Sequence, residues 1–207
     1  MDLVRPEVTP RFRGVRPIFL LVLVLAAAVA VLVLSLKRER AAPADGEADW
    51  WSQHRAQCNP VEVGTLIDGN ARAPAHYRAA CLALAGKVDA ARAVLATLPA
   101  AERDRAASFV FSVAHPVADM GDDASAGPIM ELVVEIQPEQ YMALYHAGMA
   151  KAIAGDDAKA RDYLTRFLAI YRTDDGWTGN ARAALRSLDR PRTERTVTKG
   201  SEGSLVY

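Results

Sequence analysis

The chain has 207 residues, with 25 basic side chains balancing 25 acidic ones and hydrophobic residues making up 51% of the total. With no excess of positive charge and no basic stripe interleaved with aromatics, nucleic acid is excluded as the expected partner. Once the apolar N-terminal run is set aside, the remaining length suits one folded domain.

Residues 1–17 contain Arg5, Arg11, Arg13 and Arg16, and are expected to form a short cytoplasmic segment. From Ile18 to Leu36 the chain is apolar except for Ser35. At 1.5 Å per residue this run reaches roughly 29 Å, the thickness of a hydrocarbon core. It is expected to be a transmembrane helix over 18–36. A cleaved signal peptide would have a shorter apolar region ending in small residues, whereas Leu32 to Leu36 is bulky and runs into Lys37, Arg38 and Arg40. Basic residues flank both ends, so the positive-inside rule leaves the orientation open.

Residues 37–49, with Pro43 and Gly46, read as a linker. Trp50 and Trp51 follow, either as interfacial anchors or as a cover for the first folded hairpin. Cys58 and Cys81 are the only cysteines. They form either a disulfide pinning the loop around Pro60 and Gly64 to the helix beyond it, or two unrelated thiols. An even pair suits an oxidising compartment, and this favours a cytoplasmic N-terminus with the folded domain in the periplasm.

The strongest pattern is a glycine followed five residues later by an alanine: Gly86 and Ala91, Gly121 and Ala126, Gly155 and Ala160. The glycines lie 35 and 34 residues apart, the period of stacked helical hairpins. Aligned on them, the units are 72–105, 107–140 and 141–174, each with a small residue seven places before the glycine: Ala79, Ala114 and Gly148. The small residues let two helices approach, and the glycine permits a sharp turn at positive φ. The acid pairs Asp122–Asp123, Asp156–Asp157 and Asp174–Asp175 fit helix caps better than catalytic dyads. Apolar pairs follow at Leu95 and Leu98, Met130 and Val133, Leu164 and Phe167.

On these residues the chain resembles the tetratricopeptide repeat (TPR) family over about half its length. The expected large residue at position four is only Ala75, Val110 and Leu144, and position eleven lacks an aromatic. Pro116 and Pro128 fall inside the second hairpin, where a proline costs about 3 kcal/mol, so that hairpin is expected to be kinked or shortened. The resemblance implies a concave face built from the first helix of each unit, which here carries His76, Tyr77, Phe111, His115, Met142, Tyr145, His146 and Met149. An aromatic, Met and His groove of this kind suits an apolar or helical segment of a partner protein, unless the chain's own pre-repeat or terminal helix fills it. Residues 176–188 carry Trp177, Ala181, Ala184, Leu185 and Leu188 at helical spacing and read as a capping helix. Residues 189–207 are polar and expected to be disordered.

For catalysis there is no G-x-S-x-G, P-loop, G-x-G-x-x-G or H-E-x-x-H. His54, Cys58, His76 and Cys81 are zinc-type residues within one stretch, but their spacing matches no metal motif. The expectation is therefore an all-α protein: one N-terminal transmembrane helix, a linker, and a TPR-like α-solenoid over 50–188 with about three hairpins and a capping helix. As a non-enzymatic adaptor without metal or cofactor, it would dock a protein at a bacterial inner-membrane assembly. By resemblance, such assemblies serve secretion, pilus or cytochrome biogenesis, and no residue selects among them. The alternative is a metal-binding or enzymatic envelope protein using the His/Cys set.

Overall fold

The computed structural model describes residues 22, 25–29, 50–70, 73–195, 198–199 and 205–206. The chain divides into two compact units, Met1–Glu47 and Ala48–Tyr207. In the first unit the described residues, Val22 and 25–29, are helical. Most of the expected span 18–36, the 1–17 segment and the 37–49 linker lie outside the described residues. Among the described residues no helix is long and apolar enough to cross a membrane.

The second unit is helical. After helical residues 50–54 come α1 (Val63–Gly69), α2 (Ala75–Leu84), α3 (Val88–Ala96), α4 (Ala100–Asp119), α5 (Asp123–Ile136), α6 (Tyr141–Ala154), α7 (Asp157–Ile170) and α8 (Gly176–Leu188). Packing is mainly between chain neighbours: α2 on α3 and α4, α4 on α5, α5 on α6, α6 on α7.

Three turns share one backbone solution. Gly86, Gly121 and Gly155 have φ of 74°, 87° and 78°. In each, the residue after the glycine donates its N–H five residues back, Lys87 to Leu82, Asp122 to Val117 and Asp156 to Lys151, while the glycine bonds three back. This is a Schellman closure, which satisfies the last carbonyls of one helix before the next begins. Asp122 and Asp156 then cap the following helices by accepting from Ser125 N at 3.0 Å and Lys159 N at 3.2 Å. The first turn differs, because Lys87 occupies the cap position without a side-chain bond, and Asp89 pairs with Arg92 instead.

The close-contact positions read from the repeat are where the helices touch. Ala79, Ala91, Ala114, Ala126 and Ala160 are all fully buried. A Cβ on Gly148 would meet Leu164 Cγ at 2.7 Å, and one on Gly127 would sit well inside contact distance of Ala150 Cβ.

Three expectations need correction. Of the two outcomes expected for the second hairpin, kinked or shortened, shortening does not occur: α4 runs through Pro116 for 20 residues and α5 through Pro128 for 14. A proline removes one helix bond, and packing on both neighbours outweighs that loss. Its first helix also starts at Ala100 rather than near 107, because Pro99 at the N-cap ends the preceding turn with a ψ of 151° and opens the helix there. Finally, the tail after Leu188 is ordered as far as Arg195. Arg195 forms a two-pronged bond to Asp157, both distances 2.9 Å, and Arg161 pairs with Asp189 at 2.8 Å. Beyond it, two-residue strands Thr198–Lys199 and Leu205–Val206 pair antiparallel.

Gly127→Ala would ordinarily stabilise a helix by about 1 kcal/mol. Here it is expected to destabilise by about 1–3 kcal/mol through overpacking against Ala150, read as a lower denaturation midpoint; an unchanged or higher midpoint would contradict the close α5–α6 approach. A second outcome concerns Asp175, which caps α8 in a capping box with Thr178 and accepts from the Tyr171 hydroxyl at 2.6 Å. That hydroxyl, with the helix N–H groups, holds the carboxyl below its usual pKa. A depressed carboxylate contributes above its unfolded pKa and loses that contribution as pH falls through its folded pKa. The melting temperature of Asp175→Asn should therefore lie below the parent's at neutral pH and converge with it in acid, and a gap that does not close would show that the charge is not responsible.

Candidate functional site

The residues expected to form an open partner groove divide into two groups. Tyr77, Met142, Tyr145, His146 and Met149 are buried and belong to the core, whereas His76, Phe111 and His115 are half-buried. The physical reason lies in α6, where every residue from Met142 to Ala150 is buried. A helix apolar on all sides is covered on all sides. Here α5 and α7 flank it, and α8 lies over it through Trp177, whose ring meets Tyr145 edge-on at 5.0 Å and His146 at 5.7 Å. At the other end Trp50 stacks on Tyr77 at 5.7 Å and Trp51 meets Phe109 edge-on at 5.1 Å. The chain's own aromatics thus cover the inner face of the first and third units.

Cys58 and Cys81 are joined by a disulfide. It ties the loop after residues 50–54 to α2 and removes both sulfurs as thiolate ligands, so the His54, Cys58, His76 and Cys81 set cannot form a thiolate metal site.

A cleft of about 340 Å³ lies between the α4–α5 turn, α6 and the start of α8. Asp119, Gly121, Asp123, His146, Trp177 and Asn180 are among its lining residues. Three carboxylates, Asp119, Asp123 and Asp175, face this cleft, and among the described residues no Lys or Arg lines it. Met120 stands 73% exposed between Asp119 and Gly121.

His146 sits at the floor of the cleft, 1% exposed, with Nδ1 2.8 Å from Oδ1 of the buried Asp123. A carboxylate only accepts, so Nδ1 carries a proton and Nε2 faces away from Asp123. Nε2 lies 3.4 Å from Asp119 Oδ1, and so does Nε2 of His115, one helical turn before Asp119 on α4. Among the described residues neither Nε2 has a hydrogen-bond partner of proper geometry, and both atoms are buried. Leaving such groups unsatisfied costs about 1–3 kcal/mol each. Burial pushes His115 below the ordinary imidazole pKa; Asp119 opposes that shift and His146 adds to it. The two imidazole rings meet at 5.1 Å, and His115 stacks on Phe111 at 4.7 Å.

The sequence reading placed His115 and His146 on a peptide groove and treated Asp122–Asp123 only as a cap. Asp122 does cap α5, but its neighbour Asp123 turns inward to His146. The available signal was the four-residue step from His115 to Asp119, which puts both on one helix face. Nothing in the sequence brought His146 to them.

Compared with known protein families, with curated proteins and with solved structures, the chain matches none.

Trp177→Ala should expose Tyr145 and His146 and detach the start of α8. The expected loss of stability is about 3 kcal/mol, the low end for Trp truncation because the ring is half-buried, measured by denaturant unfolding; unchanged stability would mean that α8 does not hold the inner face.

Proposed function

We propose that this chain is a membrane-anchored helical-repeat scaffold of the tetratricopeptide type that docks a partner protein at a bacterial envelope assembly. The observation carrying this reading is the repetition of one turn geometry at Gly86, Gly121 and Gly155, each joining a pair of packed helices, with α8 closing the end. Stacks of this kind offer extended surfaces rather than a reaction centre. The apolar run Ile18 to Leu36 supports anchoring, and its described side chains Val22, Leu25 and Val29 stand exposed. The disulfide supports an oxidising compartment for the folded unit, hence the periplasmic side of the inner membrane.

Because the first and third units are covered by the chain's own tryptophans, docking falls to the second unit and the cleft mouth. Phe111 is half-buried there, and Met120 offers an exposed, adaptable apolar side chain beside the acidic cleft. A basic or amphipathic segment of a partner fits this combination.

A photo-crosslinking residue replacing Met120 in the full-length chain, activated in intact cells, is expected to give one defined protein product. The same residue at exposed Arg105, about 22 Å away along α4, should give none. Equal products at both positions, or none at Met120, would remove this surface. In the same cells Cys58 and Cys81 should resist thiol reagents until reduced; free labelling would put the domain in the cytoplasm.

A further inference from the structure

We propose that His115, Asp119 and His146 form a binding site for a single divalent transition-metal ion, with zinc the best chemical fit. One donor atom from each of these residues lies within 4.8 Å of the others. Two of the three edges, His115 Nε2 to Asp119 Oδ1 and His146 Nε2 to Asp119 Oδ1, measure 3.4 Å. Ligands about 2.0–2.1 Å from a tetrahedral zinc are separated by roughly 3.3 Å, so these edges already have the right length. An octahedral arrangement at the same bond length would bring cis ligands to roughly 2.9 Å, which fits less well.

The electronic argument is independent of the distances. Asp123 engages Nδ1 of His146, which leaves Nε2 as the donor atom beside the Asp119 carboxylate, 3.4 Å away and without a hydrogen bond of proper geometry. A cation between them resolves this. A histidine bonded through its far nitrogen to a buried carboxylate is also the usual arrangement around a metal-bound imidazole, where the carboxylate orients the ring and strengthens the ligand. The donor set of two imidazoles and one carboxylate suits zinc, with no sulfur needed. Asp119 has a side chain 41% exposed, which gives an ion a way in from the cleft, and the cleft's carboxylates, with no lining cation among the described residues, favour its entry. The three donors come from α4 and α6, so the ion would clamp the second helix pair to the third. Water would complete the shell at a fourth position.

The test uses the purified full-length chain with any affinity tag removed and metal stripped by a chelator. Equilibrium dialysis against Zn2+ should give one ion per chain. Co2+ should give the intense visible bands of a tetrahedral site without sulfur-to-cobalt charge transfer. Asp119→Asn, at a half-exposed position that tolerates the change, and His115→Gln should each weaken binding more than tenfold. Asp123→Asn, which leaves all three ligands in place, should weaken it by about 10–100-fold while keeping one ion per chain. His54→Gln, in a different part of the chain, should change nothing. Uptake of no ion at equimolar Zn2+, or uptake undiminished in the folded Asp119→Asn and His115→Gln proteins, would overturn the site. So would loss of binding in His54→Gln alone.

Discussion

The structure depends on how closely α6 lies between α5 and α7. Gly127 meets Ala150 on one side and Gly148 meets Leu164 on the other, with no room for a further methyl at either contact. Backbones this close leave residues 142–150 of α6 no solvent face, so His146, in the middle of that stretch, has to find partners inside the protein. The neighbour supplies them. Asp123 in the first turn of α5 takes Nδ1, and the turn before it brings Asp119 to the other nitrogen.

That turn shows how one backbone motif serves different electrostatic ends. All three glycine turns close in the same way, and each carries an acid in the first turn of the helix that follows. At the first, Asp89 is answered by Arg92, which also bridges to Glu135 on α5. At the third, Asp157 is answered by Arg195 and Arg192 from the segment after α8, and its carboxyl is held below the usual range mainly by Arg195. At the second, the answering group is an imidazole, which is neutral unless protonated. Among the described residues, this is the turn that leaves negative charge facing a cleft without a lining cation.

Aromatic side chains close both ends of the helical unit. Trp50 and Trp51 lie on Tyr77 and Phe109, and the disulfide holds the loop that follows them against α2. Trp177 lies on Tyr145 while Tyr171 stacks on Phe167 and donates to Asp175, which caps α8. A stack of helix pairs exposes an apolar face at each end, and covering both faces lets a short array stand alone.

By itself the sequence determined the helix pairs, their turns and their contact positions, because these follow from local chemistry. Glycine adopts the φ near 80° that closes each turn without steric cost, and only a small residue fits where two helix backbones cross. The bounds of the terminal helix, Gly176–Leu188, were legible for the same reason, through Asp175 before it and the spacing of Ala181, Ala184 and Leu188. The tertiary structure alone decided which face stays open. A tyrosine or methionine on α6 carries the same periodic signal whether it meets a partner or the chain's own Trp177, and the repeat period does not encode where α8 comes to rest. It also decided the cluster at the second turn. His115 and Asp119 share a helix face in the sequence, but His146 reaches them only because α5 and α6 pack closely enough to bury it, and no spacing along the chain records that distance.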